Sequence, residues 1–260
     1  MKLDNPVPIK HFRKRRAQLA KSLVSGVVIV PTAPERHRNA DTHYDYRWDS
    51  GFFYLTGFRE PEAVVVMTLG PKPRAVLFCR EKNMEREIWD GFRYGPELAR
   101  DMFGFDEAHS IAELDQRIPE LLGNQEELHT PVGADPAWDA RVTGWLNAVR
   151  AKVRTGVSAP VRIQDVRAAV SDMRLFKDEH ELAIMRRAAA ISSAAHARAM
   201  RAAKPGRREY EIEAELLHEF CSHGARQPAY GSIVAAGAAR VEPWSERRTD
   251  FGWVSSRSAR

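Results

Sequence analysis

Ala63-Val64-Val65-Val66-Met67-Thr68-Leu69-Gly70-Pro71-Lys72-Pro73-Arg74-Ala75-Val76-Leu77-Phe78-Cys79 decides the fold class. Two apolar runs, rich in β-branched residues, flank a Gly-Pro-Lys-Pro cluster, which reads as two strands joined by a tight turn. Upstream, Ser25-Gly26 punctuates the chain and Val27-Val28-Ile29-Val30-Pro31 follows. That run is apolar on both faces, so it reads as a strand buried between two layers. Phe52-Phe53-Tyr54-Leu55-Thr56-Gly57 is read as another strand, and 111–122 and 138–151 as helices. Strands with helices between them imply an α/β or α+β domain of roughly 170 residues, which we place at 1–172.

From Met173-Arg174-Leu175-Phe176-Lys177 the texture changes. Asp178 followed by Glu181 is a capping-box start, and Leu182, Met185, Ala189, His196 and Met200 keep to one face until Lys204-Pro205-Gly206 ends the helix. A second helix is expected over 209–223, with Glu209 and Glu211 at its positive end, Ile212, Leu216 and Phe220 facing inward, and Gly224 beyond its last turn. Residues 230–236 read as a first strand of another sheet. Beyond Gly237, the five arginines and two tryptophans of 238–260 follow no period of 2 or 3.6, so this tail is expected to be disordered.

Composition excludes several classes. The 260 residues carry 40 Lys plus Arg against 35 Asp plus Glu, a net +5 that is too mild to argue for nucleic acid. Lys10-His11-Phe12-Arg13-Lys14-Arg15-Arg16 is basic, but 17–23 has helical spacing, so these residues are expected to be the solvated face of a first helix. The longest aliphatic run, Val27 to Val30, is far short of the roughly 18 residues of a membrane helix. No secretory signal is read in the N-terminus, and the expected location is cytoplasmic. Cys79 and Cys221 are the two cysteines, which offer neither a disulfide framework nor a thiolate zinc site.

Local motifs do not reveal an activity. His218 and His223 lie five apart, whereas a two-histidine helical site needs four, and HExxH is absent. His196 is read as a core or interdomain histidine rather than a ligand, and His37, His43 and His129 as loop residues. No GxSxG, GxGxxG or P-loop occurs.

A resemblance supplies what spacing does not. The stretch Arg38-Asn-Ala-Asp41-Thr-His-Tyr44-Asp-Tyr46-Arg47-Trp-Asp-Ser50-Gly-Phe52-Phe-Tyr54-Leu-Thr56-Gly57-Phe58-Arg-Glu60-Pro61-Glu62-Ala63 closely resembles the N-terminal domain of bacterial aminopeptidase P, the Xaa-Pro aminopeptidases. The likeness continues through Glu87-Ile-Trp89-Asp-Gly91-Phe-Arg93-Tyr-Gly95, Met173 to Lys177, His218-Glu-Phe220 and Gly224-Ala-Arg226-Gln-Pro228-Ala-Tyr230. It implies a mixed-sheet α/β domain of the creatinase/aminopeptidase P type, followed over 173–237 by the incomplete start of a pita-bread α+β catalytic domain. In that family two metal ions, usually manganese, are held by Asp, Asp, His, Glu and Glu, and they activate the water that cleaves an Xaa-Pro bond.

After Ile233-Val-Ala-Ala-Gly237 the likeness is expected to stop, with no family metal ligand matched; Glu242, Glu246 and Asp250 stand in the wrong context. The chain is therefore expected to bind no metal and to be inactive by itself, as the product of a truncation or frameshift. The resemblance further implies oligomerisation through the N-terminal domain and four substrate-binding positions: Asp41, Trp89, Arg154 and Tyr230. Competing readings are core packing for Trp89, and a loop cap or a salt bridge with Arg38 or Arg47 for Asp41. A non-catalytic oligomerisation module is the alternative function, and neither nucleic acid nor membrane is an expected partner.

Overall fold

The computed structural model describes residues 8–235. Contacts divide the chain between Phe176 and Lys177. The first unit runs α1 (Ile9–Leu23), β1 (Val27–Pro31), β2 (His37–Asn39), β3 (Thr42–His43), α2 (Ser50–Thr56), β4 (Val64–Thr68), β5 (Arg74–Cys79), α3 (Met84–Asp90), α4 (Gly95–Phe103), β6 (Glu107–Ser110), α5 (Leu114–Leu122), β7 (Glu127–Thr130), α6 (Pro136–Arg150), β8 (Arg162–Asp165) and α7 (Val166–Leu175). The second holds α8 (Glu179–Ala202) and α9 (Glu209–Ser222).

Six strands form one sheet in the order β6-β5-β4-β1-β7-β8, and β2 pairs with β3 in a separate hairpin. The Gly70–Pro73 turn joins β4 to β5 antiparallel, with Val66 opposite Val76, and β1 is antiparallel to β4. The pairs β5–β6, β1–β7 and β7–β8 are parallel, so every strand of this sheet but β4 runs the same way.

Alternation along the strands builds two cores. Val28 and Val30, with Val65, Leu77 and Cys79, pack beneath α1, α2, α4 and α7. Val27 and Ile29, with Val64, Val66, Val76 and Phe78, pack against Leu114, Ile118, Val142, Trp145 and Val149 of α5 and α6. The result is a three-layer α/β/α unit, in which strands covered on both faces read as continuous apolar runs. Burial also pushes the Cys79 thiol up to about 12, leaving it protonated.

Several expectations are corrected. Residues 52–56 belong to a helix, not a strand, and Gly57 caps it. Asp49 caps α2 by accepting from Phe52 N at 2.7 Å. Gly57 ends it at φ 72°, where an added Cβ would lie 2.4 Å from the Phe12 ring. Cap and stop override the strand preference of the aromatic run. The basic stretch is not all solvated either: Arg15 and Arg16 are buried. Arg16 donates to Leu55 O at 3.0 Å and Phe103 O at 3.2 Å, and its guanidinium lies 4.3 Å from the Phe105 ring centroid. His129 is a buried β7 residue bonded to Ser25 O, not a loop residue. The expected boundary at 172 falls inside α7, whose Val166 and Val170 belong to the first core.

In the second unit the capping box forms as read, with Glu181 N donating to Asp178 Oδ1 at 2.8 Å and Asp178 N to Glu181 Oε2 at 3.0 Å. The register of α8 differs from the expectation. Ala195 is buried and Ala199 and Ala202 pack near Ile212, while Met185, His196 and Met200 are exposed. Small residues let α9 approach closely, which turns the longer side chains outward. Residues 230–235 are irregular rather than a strand, Ala236 and the 238–260 tail lying outside the described residues.

Candidate binding edge

Because β1, β5, β7 and β8 run in one direction, the segments that follow them meet at one edge of the sheet. The chain leaving β1 turns to α2 on one face, and the chain leaving β7 turns to α6 on the other. A crevice opens where neighbouring connections diverge in this way. It measures about 1100 Å³ and is lined by Thr32, Arg36, His37, His43, Trp138 and Arg174 among others.

The crevice walls are well bonded. Thr32 Oγ1 and Tyr46 Oη lie 2.8 Å apart, and burial pushes the Tyr46 phenol up to about 12. Trp138 Nε1 donates to Thr130 Oγ1 at 3.0 Å. Arg141 grips Asp115 through Nε at 2.7 Å and Nη2 at 3.1 Å, which holds that carboxyl below its usual range. His37 and His43 meet across the β2–β3 hairpin with ring centroids 4.2 Å apart and planes tilted by 38°. Among the described residues no three His, Cys, Asp or Glu side chains converge as a metal site, so these residues do not fit a dinuclear centre.

The four expected site residues are placed as follows. Asp41 lies exposed in the turn of the β2–β3 hairpin, directly after β1. Trp89 lies on α3, directly after β5, and so shares that edge of the sheet. It is 84% exposed, which removes core packing as its explanation. Arg154 sits exposed in the short 3-10 turn Val153–Thr155, which precedes β8 and therefore lies at the opposite edge. Tyr230 is exposed in the second unit. Structure thus brings Asp41 and Trp89 to one edge and leaves Arg154 away from it. Sequence reading missed the crevice, since its lining comes from five separate segments.

Comparison with known proteins agrees with this architecture. Residues 12–129 match the model of the aminopeptidase P N-terminal domain, and residues 183–252 that of metallopeptidase family M24. The second match runs past Gly237, where the likeness was expected to stop. The chain is 38% identical over 231 residues to the Xaa-Pro aminopeptidase of Escherichia coli (strain K12), covering 88% of this chain and 52% of the relative. It is 34% identical over 235 residues to the enzyme of that name from Haemophilus influenzae, covering 89% and 52%. The solved structure of zinc-substituted E. coli aminopeptidase P in complex with product matches with a TM-score of 0.86 at 38% identity, over 88% of this chain and 53% of that one. The chain thus spans about half the length of the curated relatives it matches. In sequence and fold the chain is similar to aminopeptidase P, from the N-terminal domain of that family into its M24 metallopeptidase region.

Proposed function

We propose that the chain serves an Xaa-Pro aminopeptidase, with its first unit contributing substrate recognition to hydrolysis of the residue that precedes a proline. The observation that carries this reading is the 38% identity to the E. coli Xaa-Pro aminopeptidase across 231 residues. Asp41 and Trp89 are the recognition residues of the shared edge, an anion and a large flat apolar face suited to the amino group and the ring of an Xaa-Pro peptide. Arg154 and Tyr230 act from elsewhere, through a neighbouring subunit of a homo-oligomer.

The family's metal, manganese in the full-length enzymes, would polarise the scissile carbonyl and activate water. That the chain alone is inactive, and that it works in the cytoplasm as part of a larger assembly, belong to the same proposal. The test is release of the first residue from an Xaa-Pro peptide by the purified chain in excess Mn²⁺, alongside calorimetric titration of the metal. No release and no pair of tight sites are expected. Turnover, or two tight sites, would overturn the inactivity.

A second reading, a non-catalytic oligomerisation module, is favoured by α3. Its Met84, Ile88 and Trp89 are 70%, 79% and 84% exposed. Peptide binding that Trp89→Ala abolishes separates the first reading from the second, which expects only a change in mass by light scattering.

A further inference from the structure

Helix α3 has no buried residue, so no packing into either core holds it in place. It stands on a neck. Its incoming foot, Arg80 to Asn83, and its outgoing foot, Arg93 to Gly95, touch. Lys82 Nζ donates to Arg93 O at 3.2 Å, and a Cβ added to Gly95, at φ 68°, would lie 3.1 Å from Lys82 N. Lys82 also pairs with Glu87 at 2.7 Å and lies 4.3 Å from the Phe92 ring centroid. These contacts are on the surface, where ion pairs contribute little.

Beneath the neck lies Glu60, from the segment between α2 and β4, which is only 8% exposed. Its Oε1 accepts from Tyr94 N at 2.7 Å, and its Oε2, which has no hydrogen-bond partner among the described residues, faces Arg80 Nη2 at 3.8 Å, close enough for an ion pair but not for a hydrogen bond. One buried carboxylate therefore reaches both feet of the excursion. Arg93 and Glu87 also bear on it electrically, and burial holds its carboxyl above the usual range. Tyr94 is further locked by rings, its centroid 5.0 Å from that of Phe103 and 5.7 Å from that of Phe58. Keeping a carboxylate in such a place costs free energy, which the one hydrogen bond from Tyr94 N and the ion pair with Arg80 offset in part.

We infer that Glu60 is a positioning residue, a clasp that closes the neck at Arg80 and Tyr94 and so fixes where α3 presents Trp89. The inference rests on the proposed recognition role of Trp89, but its geometry does not. A tie at the base shortens the free segment between the feet to the residues of α3 and its flanks, which lowers the entropy lost when they order. Without it the helix keeps its surface ties and the ring packing of Tyr94 at one foot, and short isolated helices are marginal in water.

The test is amide hydrogen exchange of the whole chain, read segment by segment, for Glu60→Ala, Glu60→Gln and Arg80→Met. Glu60→Ala is expected to speed exchange across 84–94 at least tenfold, with β1 and β4 amides unchanged. Glu60→Gln keeps an acceptor for Tyr94 N and is expected to rescue protection at that foot. Arg80→Met loosens the other foot alone. Two results would overturn the clasp: unchanged exchange over 84–94 in Glu60→Ala, or faster exchange spread equally over the strands, which marks a purely structural role. Should Glu60→Ala not fold, the other two variants decide: Glu60→Gln losing protection at Tyr94, or Arg80→Met leaving 84–94 as in the parent, overturns it. Trp89→Ala is the separate control. It should leave exchange over 84–94 as in the parent, so its failure to weaken peptide binding sinks the recognition role and not the clasp.

Discussion

Arg16→Met should destabilise the first unit, although it removes a charge that the fold pays to bury. The guanidinium caps two helices at once, since Leu55 lies in the last turn of α2 and Phe103 ends α4, positions whose carbonyls lack helical partners. Stranding those two acceptors costs about 1–3 kcal/mol each, and losing the contact with Phe105 about 1–2 kcal/mol more. Gly104 O, a third acceptor, keeps a bond from Arg13 Nε at 3.3 Å. Against this, burial lowers the Arg16 pKa from its ordinary value to about 10, with neighbouring Arg13 adding to the shift. At 1.36 kcal/mol per unit, the substitution relieves about 3 kcal/mol. At the midpoints of these ranges the losses exceed the relief by about 2 kcal/mol. Urea unfolding followed by circular dichroism should show the midpoint falling by about 1 M for a protein of this size. A midpoint equal to or above that of the parent would refute the double-cap reasoning, and would mean that water satisfies these carbonyls.

Gly57→Ala should cost more than a glycine replacement on the surface: it puts a side chain at φ 72° and drives its Cβ into Phe12, a fully buried ring. A loss of about 2–4 kcal/mol in the same assay is expected, and one below about 1 kcal/mol would show that Phe12 can move aside. The pair formed by Asp115 with Arg141, assisted by Trp145 Nε1 at 2.7 Å, should appear as acid sensitivity. The folded carboxyl titrates below 3.8, so its contribution is complete above that value and is lost as pH falls through the depressed one. Asp115→Asn should therefore lower the melting temperature at pH 7, with the gap to the parent closing toward pH 3. A gap independent of pH would count against the pairing.

Legibility in the sequence followed burial. Strands β1, β4 and β5 are covered on both faces, so their residues form apolar runs that announce themselves. Strands β6, β7 and β8, four residues each, read Glu-Ala-His-Ser, Glu-Leu-His-Thr and Arg-Ile-Gln-Asp, where no period can develop. Residues 52–56 misled because aromatic content favours strand, while the deciding signals were Asp49 and Gly57 at the ends. Arg15 and Arg16 misled because charge predicts exposure, and only the fold brings helix ends to meet them. At the candidate edge, Asp41 and Trp89 came from resemblance, which cannot say that they share an edge. Glu60, Arg80 and Tyr94 are distant in sequence, and nothing local to any of them signals a clasp.

The central position of β1 bears on the order of assembly. Its partners on one side come soon: β4 follows within about 40 residues, and β4 and β5 are joined by a tight turn. Its partner on the other side, β7, is about 100 residues away, with Val27 opposite Leu128. During synthesis the β1–β4–β5 antiparallel ribbon can form while one flank of its most apolar strand has no neighbour. That open flank is a template for wrong pairing until Leu128 and His129 have emerged, so the vulnerable stage of folding lies between the fifth strand and the seventh.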